Sequence, residues 1–548
     1  MESRQRVGVI VGIAVVAVLA LRWGVWQLGM RLADLLQADP IKTTAAVRTA
    51  HRAPVNGGRL FTQDETHAFL LAARKAEAIQ DPLQRCLSYP DPPHSHWSPA
   101  AVEAYCRYHL QTIITFNEAQ TLIQNGQAAD LDRRLAQDLQ SQLTKTESRG
   151  LLDLTYFVDF DNGSFDVRST LDAWKRASPS SAFAYAASGW AYVAMAAKAR
   201  GVAFIRDTPQ ENIDAMNRLL SQADSDLQRA IALNSKVTPA YVAMLTAGSL
   251  SLGDAYIRNV AKRGLAASPD DYAIYGLLSH AAEPKWGGSL QAMKQVAGAA
   301  QLHAKDNPLL TLLLSAEPAV EYDVCNCELS AQWAAYPVVF DNVSSTALLL
   351  NAGSAAGHAG HADLAAIYFS EALRFVPKNS MAHIRRSYAL TSLGEAPWAL
   401  EEANQQISES PQSAWGYSMR GYAYKWTGDY THAAPDLEKA AALDPTNTFP
   451  LRQLGDIYTH THDWDKAWDV ANRSIQAHPQ DAYGWILRAS IQKDQPRAGL
   501  RDTIDHFLAQ FGNDPNEAVP AAEMRRTLMQ MNPQPGNAAS ASGNASHL

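Results

Sequence analysis

The chain has 548 residues, 47% hydrophobic and 19% charged, with 47 basic against 55 acidic side chains and a formal net charge of -8. That balance is globular, which excludes a disordered chain, and the length suffices for two or three domains. No basic block is present to neutralise phosphates, so nucleic acid is excluded as an expected partner.

Val7 to Leu21 is an apolar run without a charge, preceded by Arg4 and Arg6; after Arg22 the apolar character continues through Trp23 and Trp26 to Met30. The uncharged run is shorter than the roughly 20 residues a spanning helix needs. Trp23 and Trp26 would supply an interfacial belt that lets the segment cross. Residues 1–30 are therefore expected to be a signal anchor or transmembrane segment. The alternative is a signal peptide cleaved near Val18-Leu19-Ala20. The two arginines favour a cytoplasmic start and an exported body, a single-pass protein of the bacterial inner membrane with its body in the periplasm. Residues 31–61 read as a juxtamembrane linker, with Asn56-Gly57-Gly58 near its end.

Residues 62–345 read as a helical domain. Apolar residues recur at helical spacing over Thr62–Gln80 and Pro99–Asn125, with Ser98 as the expected N-cap of the second stretch. Cys86 and Cys106 flank the Pro-rich segment Tyr89-Pro90-Asp91-Pro92-Pro93, while Cys325 and Cys327 are one residue apart. Four cysteines in an exported chain suggest disulfides, with three connectivities open. Cys86–Cys106 is the favoured pair, because it closes a loop without regular structure. Cys325–Cys327 would form a tight ring, against two free thiols or a metal half-site lacking further ligands. Asp130 to Thr144 is a polar helix carrying Leu131, Leu135, Leu139 and Leu143 on one strip. Ser181 to Arg200 mixes Ala with aromatics and suits close packing. Helical pairs follow from Asn212, Tyr241, Asp254 and Tyr272. In Glu283-Pro284-Lys285-Trp286-Gly287-Gly288-Ser289, Pro284 stops one helix, the glycines turn, and Ser289 caps the next. Lys285 and Trp286 are a candidate ligand corner, with a buried-Trp structural turn as the preferred reading. Pro318 to Ser345 reads as an irregular connector. The P-K-W-G-G-S string and its helices are similar to an uncharacterised bacterial domain family found beside repeat arrays, a resemblance that implies no chemistry.

From Thr346 the sequence repeats. Pro377, Pro411, Pro445 and Pro479 stand 34 residues apart. Ala365, Ala399, Ala433 and Ala467 precede them, and before those come Gly353, Ser387, Gly421 and Gly455, with turn slots at Gly360, Gly394, Gly428 and His462. This period and spacing describe helix–turn–helix units, the small residues marking close approach of helices A and B. The stretch resembles a tetratricopeptide repeat (TPR) array, its best unit running Ala414 to Asn447. Pro435, early in one helix B, should kink or shorten it. Residues 346–515 are expected to form the array, with Arg497 to Phe511 as a capping helix, and 516–548 a largely disordered tail. The fold class is all-α: a TPR-type helical-hairpin superhelix, an upstream TPR-like helical domain and an N-terminal membrane helix.

No H-E-x-x-H, G-x-x-x-x-G-K or G-x-S-x-G motif is present. His94 and His96, His358 and His361, and His460 and His462 lack further ligands and read as loop histidines, not a metal site. Asp159 and Asp161 read as a turn with Asn162-Gly163. No enzyme activity and no cofactor is expected. The TPR resemblance places the inner-groove positions of helix A at Met381, Ile384 and Tyr388, then Trp415, Tyr422, Lys425 and Trp426, then Phe449, Arg452 and Asp456. It implies an aromatic groove for a protein or peptide. The Lys/Asn clamp with which some TPRs hold a C-terminal carboxylate is not matched. The expected function is a membrane-anchored exported scaffold for protein–protein interaction in envelope assembly or secretion. The alternatives are an enzyme or carbohydrate-binding protein with its site in 62–345, and a self-associating structural homo-oligomer.

Overall fold

The computed structural model describes residues 59–202, 207–324, 333–495 and 497–531. The N-terminal segment, Cys325, Cys327 and the tail from 532 lie outside the described residues. Among the described residues the regular structure is helical, and no helix is long and apolar enough to cross a membrane. The chain divides into two compact units, one up to Ala382 and one from His383.

The first unit opens with α1 (Gln63–Glu77), started by a capping box between Thr62 and Glu65. The helices α2 (Pro82–Leu87) and α3 (Pro99–Leu110) follow. A disulfide joins Cys86 on α2 to Cys106 on α3. Ser98 occupies the N-cap of α3, but its side chain makes no capping bond; Pro99 at the first helical position presets the start. The helical stretch expected over Pro99–Asn125 is broken. Gln111 turns extended after Leu110, and a separate α4 (Phe116–Gln124) is capped by Thr115. Next come α5 (Ala128–Thr144) and α6 (Leu151–Thr155), which runs into a wider turn at Tyr156–Phe160. On α5, Leu131, Leu135 and Leu139 are buried, as the leucine strip requires.

The helices α7 (Arg168–Ala177), α8 (Ala182–Arg200) and α9 (Gln210–Leu233) lead into the centre of this unit. α8 is buried on most sides, and its small residues permit that: a Cβ on Gly189 would lie 2.4 Å from the Leu227 side chain of α9. The pairs α10 (Thr238–Ala247) with α11 (Asp254–Ala267) and α12 (Tyr272–Ala281) with α13 (Leu290–Gln301) extend one shared core. The expected connector is partly helical, with α14 (Ala316–Glu321) and α15 (Tyr336–Val339). The first repeat, α16 (Thr346–His358) and α17 (Ala362–Phe375), closes the unit.

The α1–α3 segment covers this first repeat. Arg374 of α17 is buried and bonds the Cys86 carbonyl at 2.8 Å and Asp91 at 2.8 Å. Arg85 bonds the carbonyls of Leu373 and Arg374 at the end of α17. Trp97 Nε1 donates to Phe340 O at 2.9 Å, and Tyr105 Oη accepts from Thr346 N at 2.8 Å.

The 34-residue register persists through α18 (Ser380–Ser392), α19 (Ala396–Glu409), α20 (Ala414–Trp426), α21 (Tyr430–Leu443), α22 (Thr448–His460), α23 (Trp464–Ala477) and α24 (Ala482–Asp494). All four turn slots hold a left-handed backbone, at Gly360, Gly394, Gly428 and, with φ +57°, His462. Pro435 does not shorten α21, which keeps the 14 residues of its neighbours α19 and α23. Pro435 is exposed, so its ring meets no packed neighbour and the helix loses only the one backbone bond a proline cannot make. The C-terminal end differs from expectation. α25 (Leu500–Phe511) is a fifth helix B, and the cap is a further helix, α26 (Ala518–Met531), within the stretch expected to be disordered. Ala521 and Met524 of α26 join Ile504, Phe507 and Phe511 in a core cluster, so this apolar face has a packing partner.

Arginines recur at 34-residue steps on the A helices. Buried Arg386 pairs with Glu402 and lies over the Trp398 ring. Arg420 bonds Asp436 of its own repeat through two nitrogens, at 2.7 and 2.8 Å, and Asn404 of the preceding one. Arg488 reaches back to Asn472. At the remaining position of the series stands Leu454, buried in an apolar cluster, and an ion pair elsewhere, Arg473 with Glu438 at 2.9 Å, links that repeat to the one before it.

Candidate partner-binding groove

The A helices of the second unit present one continuous face. Tyr388 of α18, Tyr422 of α20 and Phe449 of α22 form a mutual ring cluster. Tyr388 meets Tyr422 edge-on at 5.0 Å, and Phe449 lies 4.9 Å from Tyr388 and 5.6 Å from Tyr422. Trp426 stands beside Tyr422, ring centroids 6.1 Å apart, and is 54% exposed. Burial drives the Tyr388 phenol up and holds it neutral. Charged groups edge the rings in pairs. Lys425 Nζ is 2.7 Å from both Asp456 Oδ2 and Gln453 Oε1. Arg452 Nη2 reaches both oxygens of Asp481, at 2.7 and 2.8 Å. Burial would raise the Asp481 carboxyl, but the Arg452 bond and the Tyr483 amide hold it below the usual range.

Several expected groove residues are placed differently. Ile384 is buried with Ala403 and Met419, and Trp415 packs against that cluster, so their side chains serve inter-helix packing. Met381 is exposed but precedes the boundary of this unit. Tyr483 was missed. It follows Trp415 and Phe449 at the same 34-residue step, donates from its hydroxyl to Arg452 O at 2.9 Å, and sits under the Arg452 guanidinium. Continuing the register one unit past Asp481 would have found it.

The comparisons bear on this same stretch. A family profile described as tetratricopeptide repeat matches residues 427–491. The chain carries a TPR array. It is 40% identical over 95 residues to "Hsp70-Hsp90 organizing protein" of Triticum aestivum, covering 17% of this chain and 16% of that protein. It is 24% identical over 122 residues to "Tetratricopeptide repeat protein 6" of Homo sapiens, covering 22% of this chain and 23% of that protein. The chain thus spans under a quarter of the length of these curated relatives. Among solved structures it is similar to the MamA protein, with 19% identity, a TM-score of 0.24, and cover of 32% of this chain and 94% of that one.

Outside the array, the candidate corner at Lys285 and Trp286 is a packed turn. Trp286 is buried against His280, ring centroids 5.5 Å apart, and Lys285 is spent on Glu283 at 2.6 Å. Burial would raise Glu283, but His280 and Lys285 hold its carboxyl low. A Cβ on Gly288 would lie 2.0 Å from Ala282 O, so the turn admits only glycine there. The TPR turn histidines pack on rings: His361 on Trp333, His460 on Tyr430, His462 on Trp464. His94 bonds Glu65, and His96 bonds Asp341, each at 2.6 Å. Asp159 accepts from the Phe116 amide at 3.0 Å, while Asp161 ends the wide turn, pushed up to about 6 by burial.

Proposed function

We propose that this chain is an exported, membrane-anchored TPR scaffold that holds a protein or peptide partner on the A-helix face of its second unit, in envelope assembly or secretion. The observation that carries the reading is the exposed Trp426 beside the Tyr388–Tyr422–Phe449 cluster. A large exposed aromatic backed by rigid aromatics is the arrangement that interface hot spots favour. The edging charges satisfy each other, which suits an apolar or aromatic anchor over a charged terminus. TPR-containing relatives support partner binding as the general role. Export is supported by the apolar run after Arg4 and Arg6 and by the Cys86–Cys106 disulfide, since such bonds persist in oxidising compartments.

The test is photo-crosslinking in cells from a probe placed at Trp426. One dominant protein adduct, lost in a Tyr422→Ala variant that still folds, is expected. An exported, folded protein that yields no adduct sinks the groove reading.

A further inference from the structure

The arginine series on the A helices of the second unit is matched by a second series 16 residues further on, one on each following B helix: Glu402, Asp436, Val470 and Ile504. Arg386 pairs with Glu402. Arg420 grips Asp436 side-on, Nε to Oδ2 at 2.7 Å and Nη2 to Oδ1 at 2.8 Å, while its Nη1 donates to Asn404 at 2.9 Å. Leu454 is matched by Val470, and both are buried in one apolar cluster. The last pair breaks the rule. Arg488 on α24 is matched by Ile504 on α25, which is 1% exposed in an apolar cluster and offers no acid.

Arg488 keeps only half of the Arg420 arrangement. Its Nη1 donates to Asn472 Oδ1 at 3.3 Å, as Arg420 Nη1 does to Asn404. Nε is buried, and neither Nε nor Nη2 has an acceptor among the described residues. A guanidinium is not deprotonated in a protein, and this one is half-buried, so a missing counter-ion is costly. Its carbon lies 4.9 Å from the centre of the Trp468 ring, and that of Arg497, bonded to Asp465 at 2.5 Å, lies 5.2 Å from the same ring. One turn earlier on α24 the Trp485 indole N–H is also buried without an acceptor, its ring stacked on His506 of α25 at 5.3 Å. Unpaired donors thus recur a turn apart on one helix.

We infer that Arg488 is an open carboxylate fork, which binds through Nε and Nη2 the carboxylate of a ligand, either a small free acid or the acidic side chain of a bound peptide. In Arg420 the same two nitrogens hold Asp436, and their parallel N–H bonds match the spacing of one carboxylate's two oxygens. Stacking on Trp468 and the bond to Asn472 orient the guanidinium before a ligand arrives, which lowers the cost of binding.

The probe is sodium acetate on the full chain, with sodium chloride at equal ionic strength as the reference. No partner is present, so the outcome is independent of the Trp426 face. Isotope labelling of the arginine nitrogens lets NMR read each Nε–H. The Arg488 signal, identified by its loss in Arg488→Leu, should shift saturably with acetate. The Arg420 signal should stay, because Asp436 already fills that fork. Leu454 occupies the same place in its repeat, so Arg488→Leu should fold. Acetate should also raise the melting temperature of the second unit, and Arg488→Leu should lose the part of that rise which exceeds a general salt effect. Arg488→Lys should need at least about tenfold more acetate for it, because an ammonium has no fork. An acetylated and amidated Gly-Glu-Gly tripeptide, with one carboxylate as its only charge, separates the sources: tighter binding than acetate assigns the fork to a peptide, and binding no tighter assigns it to a free acid. An Arg488 signal that follows acetate no further than chloride, or no further than the Arg420 signal does, overturns the fork. So does a stabilisation that Arg488→Leu retains in full.

Discussion

Two glycines of one repeat show how differently single residues act. At Gly421 a Cβ would lie 2.7 Å from Leu437 Cγ and 3.1 Å from Ala433 O, so the residue sets how closely α20 approaches α21. At Gly428 a Cβ meets nothing within 4 Å, but φ is +79°. Gly421→Ala should cost about 1–3 kcal/mol through overpacking, and Gly428→Ala about 1–2 kcal/mol through backbone strain alone. Denaturant midpoints separate the mechanisms, because Gly428→Asn should recover much of its loss and Gly421→Asn none. Glu371 is the residue with the clearest pH signature. Burial pushes its carboxyl up to about 8 despite Arg374 beside it. Its folded pKa is above its unfolded value near 4.3, so its stabilising contribution is complete below that and is lost as pH rises through about 8. Glu371→Gln should flatten the fall in first-unit stability across that window by up to about 1.4 kcal/mol per pH unit. Chemical denaturation at a series of pH values checks it, and an unchanged slope would refute it.

Among elements, the disulfide-closed α2–α3 segment and α26 do comparable jobs at different places in the chain. The Cys86–Cys106 bond closes a separation of 20 residues, and the segment it closes supplies Asp91 and the Cys86 carbonyl to buried Arg374. Replacing both cysteines with serine should lower first-unit stability by about 3 kcal/mol, with the greatest loss of amide protection around α17. At the other end, Met524→Ala should cost about 2 kcal/mol or more of second-unit stability, because Met524 is buried beside Phe507 and Phe511. An effect near zero would mean α26 is not the cap. α26 is not legible in the sequence because several of its large apolar residues, Val519, Met529 and Met531, stay exposed, and the burial of Ala521 and Met524 depends on a surface that α24 and α25 build. Pro435 leaves its helix at full length because a proline on the exposed face removes one backbone hydrogen bond and displaces no packed neighbour.

For the whole molecule, the function rests on a face that no single helix owns. Trp426→Ala should leave the thermal unfolding of the second unit unchanged within about 0.5 kcal/mol, since the ring is 54% exposed, yet reduce partner capture at least tenfold. Tyr422→Ala should lower both capture and stability, because Tyr422 also contacts Tyr388 and Phe449. Capture that survives both substitutions would move the binding surface elsewhere.

The 34-residue period alone determined the repeats, their turns and the close-approach sites, since helical hairpins of one length must place small residues, glycines and prolines at constant intervals. The Pro-rich loop between Cys86 and Cys106 was enough to favour their pairing. Only the tertiary structure decided which A-helix residues face outward. Ile384 and Phe449 are alike in hydropathy and both lie on A helices, yet one is buried in inter-repeat packing and the other joins an aromatic cluster on the groove face.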